Sequence, residues 1–567
     1  MPLLFSPADP HALYLATNVL FKTTSDGQQW EIVSPDLSRE TPDVPASIGL
    51  FRTSDSTQRA RRGVIYALGL SSLDAKIIWA GTDDGLVHMS SDGGVHWKNV
   101  TPPALTAWSK LAGIEAGHFD SRTAYLAVNR IRLDDMHPHI YRTHDGGATW
   151  KEIVGGLPVN GPVNAVREDP VRRGLLLAGT ERAVFCSFDD GAGWLPLRLN
   201  MPATSIRDLV IHDNDVIAGT HGRSFWVLDD ISPLRQWQES FLQEGMHLFR
   251  TATAYRVRWN LNTDTPLPPE EPAGENPPDG AVIDYYLHHA AKRVSLEIRD
   301  GSGNRVRRYS SSDPPDTVNE RELRIPLYWL RPFQALGSSA GNHRFVWDLH
   351  YAPPEGVPRS YPIAATVHNT APVPRGPWVE PGLYSLNLDA DGKQTTQALE
   401  IKIDPRVKVS PALLQHQFEL SMKSYKALGR IHEVITQIRT LRDQIQSRSG
   451  QVSDAGVKDS LSYLDKKLNA LEGGGVAEDV DVMYFSLEDT RTIKQTLSAL
   501  QTKLLYSMTL VQSAEAEPTV SQTEAVIEEE QVARGLVDWW EKFKQSGFLE
   551  INKNLRRLGL KPLQVER

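Results

Sequence analysis

The octet "SSDGGVHW", from Ser90 to Trp97, recurs with variation along the first half of the chain. "THDGGATW" runs from Thr143 to Trp150, and "SFDDGAGW" runs from Ser187 to Trp194. Each copy has Ser or Thr, then Asp two residues on, Gly two further and Trp three beyond. In such a turn the Asp carboxylate accepts backbone N–H bonds, Gly supplies a positive φ and the Trp ring packs beneath. The octet therefore predicts a repeated structural turn.

A short β-rich segment that ends in small residues also recurs, and three of its copies precede an octet. The five copies are LYLATN at Leu13–Asn18, IIWAGT at Ile77–Thr82, AYLAVN at Ala124–Asn129, LLLAGT at Leu175–Thr180 and DVIAGT at Asp215–Thr220. With the strands on either side, each repeat makes three or four short strands joined by Gly and Asp turns. Such a unit cannot bury both faces alone, and radially stacked units form a β-propeller. Residues 1–234 are therefore predicted to form about five propeller blades.

The composition and the hydrophobic pattern of the sequence change after the last repeat. The stretch from Thr263 to Gly280 is rich in Pro and acidic side chains, and residues 235–280 are predicted to form a linker or surface strap. Residues 281–407 contain short strands with hairpin turns, such as the alternating apolar run Val294, Leu296 and Ile298. This pattern favours an immunoglobulin-like or fibronectin-like β-sandwich. The whole chain is thus predicted to be mostly β with an α-helical tail.

Residues 408–567 show the period of amphipathic helices. Ser410 and Pro411 form an N-cap and N1 pair that predicts a helix start. Three apolar seams at helical spacing follow: Val434, Ile438, Leu441 and Ile445; Val457, Leu461, Leu464, Leu468 and Leu471; and Ile493, Leu497, Leu500 and Leu504. A final segment near Glu524–Lys544 carries Trp539 and Trp540. These seams predict an antiparallel helical bundle in which they form the core.

Composition excludes several classes of partner. The 567 residues include 61 basic and 70 acidic side chains, a formal charge of −9 spread along the length, which gives no reason to expect nucleic acid. No run of about 18 apolar residues occurs, so no membrane span is expected. The single cysteine, Cys186, cannot form an intrachain disulfide, and its apolar neighbours indicate a buried strand thiol. A glycan or a protein ligand is expected.

The octets resemble the Asp-box, or BNR repeat, of sialidase-type, xyloglucanase-type and sortilin-type propellers. The runs "WAGTDDGLVHMSSDGGVHWKNVTPP", "REDPVRRGLLLAGTERAVFCSFDDGAGW" and "GTHGRSFWVLDDISPLRQ" are similar to large bacterial BNR/sortilin-type propeller proteins called glycosyl hydrolase-like. In this family the box lies on the periphery, away from the central cleft. The resemblance therefore implies structural roles for twelve octet residues: Ser90, Asp92, Gly94, Trp97, Thr143, Asp145, Gly147, Trp150, Ser187, Asp189, Gly191 and Trp194.

The family resemblance also implies a longer protein. Related propellers close with six or more blades, so we expect this chain to be a C-terminal portion that lacks upstream blades. A partner subunit that completes the ring and a ring closed with five blades stay open. No signal peptide is evident at "MPLLFSPADP", and the resemblance implies a secreted or periplasmic full-length form.

Glycoside hydrolysis would need one protonated and one ionised carboxylate across a cleft. Candidate catalytic residues on the loops and inner strands are Asp83, Asp84, Asp134 and Asp135. Candidate ligand-binding residues are Trp108, Glu115, Glu181 and Trp226. Each has a structural alternative, because Asp-Asp-Gly forms turns and acidic loop residues are often simply solvated.

Metal and cofactor chemistry has little support in the sequence. The segment "DDMHPHIYRTH" carries His137, His139 and His144, but spacing shows no third ligand. We therefore predict neither a metal nor a cofactor. Two functions remain: a sortilin-like propeller that binds a protein or glycan ligand without catalysis, which we favour, and a glycoside hydrolase that uses a carboxylate pair. A convergent carboxylate pair beside aromatic platforms would favour the hydrolase.

Overall fold

A computed structural model describes residues 1–41, 44–47, 61, 63–258, 274–316, 318–363, 366, 368–473, 485–486, 492–493 and 496–565. Two compact units divide the chain, Met1–Trp237 and Gln238–Arg567. The finer division at residues 234, 280 and 407 stays a prediction, and residues 259–273 of the proposed linker lie outside the described residues.

The described part of the first unit forms five antiparallel sheets, and the strands within each sheet follow one another in sequence order. The first sheet contains β1 (Leu3–Phe5), β2 (Leu13–Ala16), β3 (Leu20–Thr23) and β4 (Glu31–Ile32). The second contains β5 (Ile65–Leu70), β6 (Ile78–Thr82), β7 (Val87–Ser90) and β8 (Lys98–Asn99). The third contains β9 (Lys110–Ala116), β10 (Ala124–Asn129), β11 (His139–Thr143) and β12 (Lys151–Glu152). The fourth contains β13 (Val163–Glu168), β14 (Leu176–Thr180), β15 (Val184–Ser187) and β16 (Leu195–Pro196). The fifth contains β17 (Ile206–His212), β18 (Asp215–Thr220) and β19 (Phe225–Leu228), and the short helix α1 (Ser232–Gln236) follows it.

Neighbouring sheets pack through their first strands, since β5 contacts β9, β9 contacts β13 and β13 contacts β17. Each apolar cluster draws on two adjacent sheets. Trp79 of the second sheet is fully buried and packs with Leu111 and, edge-on, with Trp150 of the third. Small antiparallel sheets stacked side by side in this way are the blades of a β-propeller.

The three octets connect the third and fourth strands of the second, third and fourth sheets, and they share one set of contacts. In the first of them, Ser90 Oγ donates to Asp92 Oδ1 (2.9 Å) and accepts from the N–H of Gly94 (2.8 Å). Asp92 Oδ1 also accepts from the N–H of His96 at 2.9 Å. Equivalent bonds join Thr143, Asp145, Gly147 and Thr149, and Ser187, Asp189, Gly191 and Gly193. These bonds satisfy the backbone donors of a tight turn.

Each octet also ties its sheet to the preceding one. The indole Nε1 of the tryptophan donates to the carbonyl of the residue that follows the preceding sheet's fourth strand. The three pairs are Trp97 with Val33 (3.0 Å), Trp150 with Val100 (2.7 Å) and Trp194 with Ile153 (2.8 Å). The octet glycines Gly94, Gly147 and Gly191 lie against these same three residues, with no room for a side chain. The octets are therefore staples between sheets as well as turns.

The second unit begins with two β-sheets that share one core. One sheet contains β20 (Met246–Leu248), β22 (Ala281–Leu287) and β25 (Gly341–Trp347). The other contains β21 (Ala254–Arg256), β27 (Lys393–Ile403), β26 (Gly382–Ala390), β23 (Val294–Arg299) and β24 (Arg305–Ser310), in that spatial order. Alternate residues of both sheets, such as Val294, Leu296, Ile298, Ile283 and Phe345, meet in this core. This is the inward-facing periodicity of half-buried strands.

Helices complete the second unit: α2 (Pro411–Ser449), α3 (Ala455–Glu472), α4 (Leu497–Val511), α5 (Val520–Ser546) and α6 (Leu549–Arg557). α2 packs against α3, α4 and α5, and the predicted seams lie in the shared core. Side-chain caps start three of the helices, at Asp454, Thr496 and Thr519.

The prediction of a mostly β chain with a helical C-terminal part is confirmed. One residue of the third seam differs, because Ile493 lies in the two-residue strand β29 (Thr492–Ile493), paired with β28 (Phe485–Ser486), before the helix begins at Leu497. Over the described residues, no helix combines the length and apolar character needed to cross a membrane.

Candidate functional site

The loops after the second strands and those leading into the first strands share one end of the sheets, called here the loop end. The octets and the turns after the first strands lie at the opposite end, the octet end. This follows from the alternation of strand direction in each sheet. Four of the candidate acids, Asp83, Asp84, Asp134 and Asp135, lie in loops at the loop end.

Asp84 is a fully buried carboxylate in the turn after β6, with 1% of its surface exposed. Its Oδ1 accepts from Thr82 Oγ1 (2.5 Å) and its Oδ2 accepts from the backbone N–H of Arg39 (2.8 Å). Burial raises the pKa of Asp84, and the Thr82 bond offsets part of that rise. A side chain at Gly63 would collide with the Asp84 carboxylate. The Asp84 carboxylate is therefore enclosed by other residues of the chain and has almost no contact with solvent.

Asp83 is less buried, yet both of its oxygens also have partners within the chain. Oδ1 accepts from the backbone N–H of Val64 at 2.9 Å, and Oδ2 pairs with Arg132 at 3.1 Å. Arg132 comes from the loop after β10, so this ion pair joins the second and third sheets across the loop end. Asp83 therefore serves as an anchor for Arg132.

Trp108 lies beside this ion pair. Its backbone N–H donates to the carbonyl of Asp84 at 2.8 Å, and the Arg132 guanidinium carbon lies 5.8 Å from its ring centre. The residue has a φ of +66°, which is rare for a large side chain. Such strained backbone persists where the surroundings impose it, and it is concentrated at functional sites. The indole, half-exposed, forms an aromatic and cationic surface with Arg132.

Asp134 and Asp135 follow the short 3-10 turn Ile131–Leu133. Asp134 has a φ of +57° and an exposed side chain. Asp135 contacts one arginine and two histidines: Arg130 lies 3.2 Å from Oδ2, His139 Nε2 lies 3.1 Å from Oδ2, and His137 Nδ1 lies 2.9 Å from Oδ1. The backbone N–H of His137 donates to Oδ1 as well. Asp135 thus holds its own loop in shape.

These contacts predict a pH effect at Asp135. Burial alone would raise its pKa, but hydrogen bonds from His137 and His139 lower it from 3.8 to about 2. Because the folded pKa is depressed, the stabilisation is present above about pH 4 and is lost as the pH falls through about 2. Both proteins lose stability when the pH falls from about 4 to about 2. We expect this loss of unfolding free energy to be smaller in Asp135→Asn than in the unsubstituted protein, by up to about 2 kcal/mol. Urea titrations at several pH values measure this difference.

Asp134→Asn is the matched control for Asp135→Asn, because the neighbouring carboxylate is exposed. It should leave the loss of stability on acidification as it is in the unsubstituted chain. If Asp135→Asn loses as much stability between pH 4 and pH 2 as Asp134→Asn does, the hydrogen bonds to the Asp135 carboxylate do not stabilise the fold.

A polar chain crosses the third, fourth and fifth sheets at the loop end. Asn129 Nδ2 donates to Asn164 Oδ1 (2.9 Å), and Asn164 Nδ2 donates to Glu181 Oε1 (3.0 Å). Glu181 also pairs with Arg207 at 3.1 Å. The two asparagines are buried, whereas Glu181 and Arg207 reach the surface. Glu181 therefore lies at the loop end, in a network that orders the strand ends.

Glu115 lies away from the loop end, whereas Trp226 lies near it. Glu115 is near the end of β9 that meets the octet end, where it contacts His118 Nε2 at 3.0 Å. Burial alone would lower the pKa of His118, but the bond to Glu115 and its charge raise it. Trp226 is the second residue of β19, and its Nε1 donates to the carbonyl of Arg223 in the loop after β18, which is a loop of the loop end. Its ring also packs against the core shared by the fourth and fifth sheets.

Glu115 belongs to a second polar cluster at the octet end. Glu168, almost fully buried, accepts from the backbone N–H of His118 (2.7 Å) and from the Tyr125 hydroxyl (3.3 Å). Tyr125 also donates to Asp190 at 2.7 Å. Burial raises the pKa of Glu168. This cluster joins the third and fourth sheets beneath the octets.

Sequence reasoning missed the residues that partner the candidates. Arg132 and Asp83 are separated by 49 positions, and Arg39 and Asp84 by 45. These residues meet only because neighbouring sheets stack, so no local spacing indicated them. The asparagine that ends "AYLAVN", Asn129, was a local signal, since three of the five repeats end in Gly-Thr; "LYLATN" also ends in an asparagine, Asn18.

Metal binding finds no support in the described ranges, where no group of three or more His, Cys, Asp and Glu side chains is placed to hold an ion. His137 and His139 both contact Asp135, whereas His144 pairs with Asp190 at the octet end. Cys186 is buried, and burial raises the pKa of its thiol to about 11. A thiol of this kind is inert at neutral pH.

The sheets and their loop end define the class: a β-propeller protein whose loop end presents an aromatic and charged surface. No protein-family model matches the chain. No curated protein matches it either.

Among solved structures, YCF48 bound to D1 peptide is 18% identical over 45% of this chain and 73% of its own, with a TM-score of 0.28. The GH74 enzyme of Niastella koreensis is 12% identical over 51% of this chain and 41% of its own, with a TM-score of 0.32. The GH74 xyloglucanase from Xanthomonas campestris is 13% identical over 70% and 53%, with a TM-score of 0.29. The chain thus spans about half the length of these two enzymes.

Proposed function

We propose that this chain is a ligand-binding propeller protein of the BNR/Asp-box, sortilin-like type, which takes a protein or glycan ligand at its loop end without catalysis. The observation that carries the proposal is the state of the candidate acids. Asp83, Asp84 and Asp135 each use both carboxylate oxygens in bonds to the chain itself. A general acid or base must be within reach of the substrate proton that it transfers.

The surface formed by Trp108 and Arg132 supports binding. A half-exposed indole offers a flat apolar face, on which sugar rings or aromatic side chains stack, and its rim is polar. Arg132 is held in place by Asp83, so little side-chain entropy is lost when a ligand hydrogen-bonds to it. The ion pair of the partly buried Glu181 carboxylate and the exposed Arg207 guanidinium lies at the same end. Mixed charges around an aromatic anchor favour a polar, extended ligand.

The remaining parts of the chain would then act as support. We propose that the octets are Asp-boxes that staple the blades, and that the two sheets of the second unit form an immunoglobulin-like sandwich. With the helical bundle, the sandwich would hold the propeller within a larger assembly. The side-chain contacts between β21 and the segment after α4 favour such a joint support.

The alternative is a glycoside hydrolase. One observation favours it: burial raises the pKa of Asp84, and a second carboxylate, Asp83, is adjacent in sequence. This matches the need for one protonated and one ionised group. Against it, Asp84 is buried under Arg39 and Gly63, so a substrate would have to displace both.

Binding is tested with arrays of soluble neutral polysaccharides, uronate polysaccharides and random peptides, followed by titration of each probe that binds. We expect Trp108→Asn to weaken binding at least tenfold, which corresponds to about 1.4 kcal/mol. Asparagine tolerates a positive φ, so the loop backbone is retained. Trp30→Ala is the matched control, because this exposed tryptophan lies at the octet end and its loss should leave affinity unchanged.

Catalysis is tested by reducing-sugar release from the same polysaccharides. The proposal expects no release from the unsubstituted chain or from Asp83→Asn. Release by the unsubstituted chain that disappears in Asp83→Asn or Asp84→Asn would establish the hydrolase instead. If Trp108→Asn and the unsubstituted chain bind the probe with equal affinity, the ligand does not bind at Trp108 and the loop end is not its site.

A further inference from the structure

Ser72 and His118 occupy equivalent positions in neighbouring sheets. Each lies two residues beyond the end of its first strand, β5 in the second sheet and β9 in the third. These two first strands contact each other, so the turns that follow them come together at the octet end. The equivalent position of the fourth sheet is Pro170, which carries no reactive group. The stacking of the sheets therefore brings a hydroxyl and an imidazole together at one point of the repeat.

The side chains of Ser72, His118 and Glu115 form a hydrogen-bonded line. Ser72 Oγ lies 3.4 Å from His118 Nδ1, and His118 Nε2 lies 3.0 Å from Glu115 Oε1. Because a carboxylate can only accept, Nε2 carries the proton that faces Glu115, and in the neutral imidazole Nδ1 accepts from the Ser72 hydroxyl. This is the order of a nucleophile, a base and a carboxylate that orients the base.

Further contacts hold the histidine and the glutamate in place. The backbone N–H of His118 donates to Glu168, which is almost fully buried, at 2.7 Å. Nη1 of Arg167 lies 3.7 Å from Oε2 of Glu115, so the second carboxylate oxygen also has a charged neighbour. Reacting groups need such support, because a small displacement of a base costs much of its rate. Ser72, His118 and Glu115 are each half-buried, and so they remain open to a small substrate.

The neighbours of the hydroxyl and the imidazole supply the other parts of an acyl-transfer site. Leu73 is 52% exposed and Phe119 is half-exposed, so both offer apolar surface to an acyl group. Among the described residues, the backbone N–H of Ser72 has no acceptor. A backbone N–H of this kind can donate to the negatively charged oxygen of a tetrahedral intermediate. These features fit a small carboxylic ester as the substrate.

We propose that Ser72, His118 and Glu115 hydrolyse small carboxylic esters at the octet end, an activity separate from ligand binding at the loop end. Ser72 Oγ attacks the ester carbonyl carbon, and its proton passes to His118 Nδ1. The alcohol leaves with that proton, while the acyl group stays bonded to Oγ. Water then attacks the acyl group and gives a proton to Nδ1, and the acid leaves as this proton returns to Oγ. Glu115 is a positioning residue that holds Nε2–H and stabilises the imidazolium.

A fluorophosphonate probe, which bonds covalently to activated serine hydroxyls, tests the nucleophile in the full chain. We expect mass spectrometry to find the phosphonyl group on Ser72, and Ser72→Ala to lose this label. Ser121→Ala is the matched control, because Ser121 is also half-buried and lies in the turn after β9, but its hydroxyl has no hydrogen bond to a described histidine. Labelling of this variant should equal that of the unsubstituted chain.

Hydrolysis of p-nitrophenyl acetate tests the base. His118→Gln should lower kcat/KM about a hundredfold, with circular dichroism to show that the variant is folded. Burial alone would lower the pKa of His118, but the bond to Glu115 and the charges of Glu115, Glu168 and Asp169 raise it above 6.5. Since the base must be neutral, kcat/KM should rise with pH through an apparent pKa above 6.5. Glu115→Gln should move this rise to lower pH, which loss of packing alone would not do.

Two results would overturn the proposal. An unsubstituted chain that is folded and carries no phosphonyl label on Ser72 would show that this hydroxyl is not activated. Equal hydrolysis of p-nitrophenyl acetate by Ser72→Ala and the unsubstituted chain would assign the hydrolysis to other side chains. Neither result bears on ligand binding at the loop end, which Trp108→Asn tests separately.

Discussion

Replacing Gly94 with alanine should lower the unfolding free energy of the first unit by about 2–4 kcal/mol. Gly94 has a φ of +102°, and an added Cβ would lie 2.5 Å from the carbonyl oxygen of Val33. The methyl group would therefore push the first and second sheets apart, and it would also strain the turn. The same displacement would lengthen the bond from Trp97 Nε1 to Val33.

Gly93→Ala is the matched control for Gly94→Ala. Gly93 also has a positive φ, +79°, but nothing lies within 4 Å of an added Cβ. This substitution should cost only the backbone strain, about 1 kcal/mol. Urea unfolding of the two variants, followed by tryptophan fluorescence, gives the difference. Equal losses would mean that the octet is only a turn and does not tie the sheets together.

Removing Glu515 should destabilise the second unit by about 3–5 kcal/mol, because it leaves a buried guanidinium without its counter-charge. Glu515 pairs with Arg256 (2.5 Å) and Arg258 (3.3 Å), and Arg256 is 3% exposed. Burial lowers the pKa of Arg256, and the charge of Glu515 opposes this shift. The pair ties β21 to the segment that follows α4.

The test compares Glu515→Ala with Glu400→Ala in urea unfolding of the full chain. Glu400 forms an exposed ion pair with Lys402, so its loss should cost far less than the loss of Glu515. Arg256→Met/Glu515→Leu should recover part of the loss, since the double variant buries no unpaired charge at position 256. If Glu515→Ala is no worse than Glu400→Ala, the buried pair does not hold the sheets to the helices.

Local patterns in the sequence were sufficient for the order of the sheets and for most helices. Each of the five repeat segments became a second strand, because its alternation of apolar and small residues suits a strand packed on both faces. The seams of α2 and α3 lie in the core, since helical period alone decides which face is buried. Ile493 departs from this pattern because the helix begins only after the cap at Thr496.

The partners of the candidate site residues could not be predicted from the sequence, because these contacts depend on how the sheets stack. Asp83 and Asp84 are identical neighbours in sequence, yet one reaches Arg132 and the other is buried under Arg39. By sequence, Glu115 is predicted to bind ligand together with Trp108 and Glu181. Its position near the end of β9 places it at the octet end, with His118.

The most direct test of the central claim is hydrogen exchange with a probe from the binding arrays present. Ligand binding at the loop end predicts slower exchange at residues 82–86, 105–109 and 130–135, and unchanged exchange at the octets 90–97, 143–150 and 187–194. Protection of the octets, with the loops unchanged, would contradict a ligand site at Trp108 and Arg132.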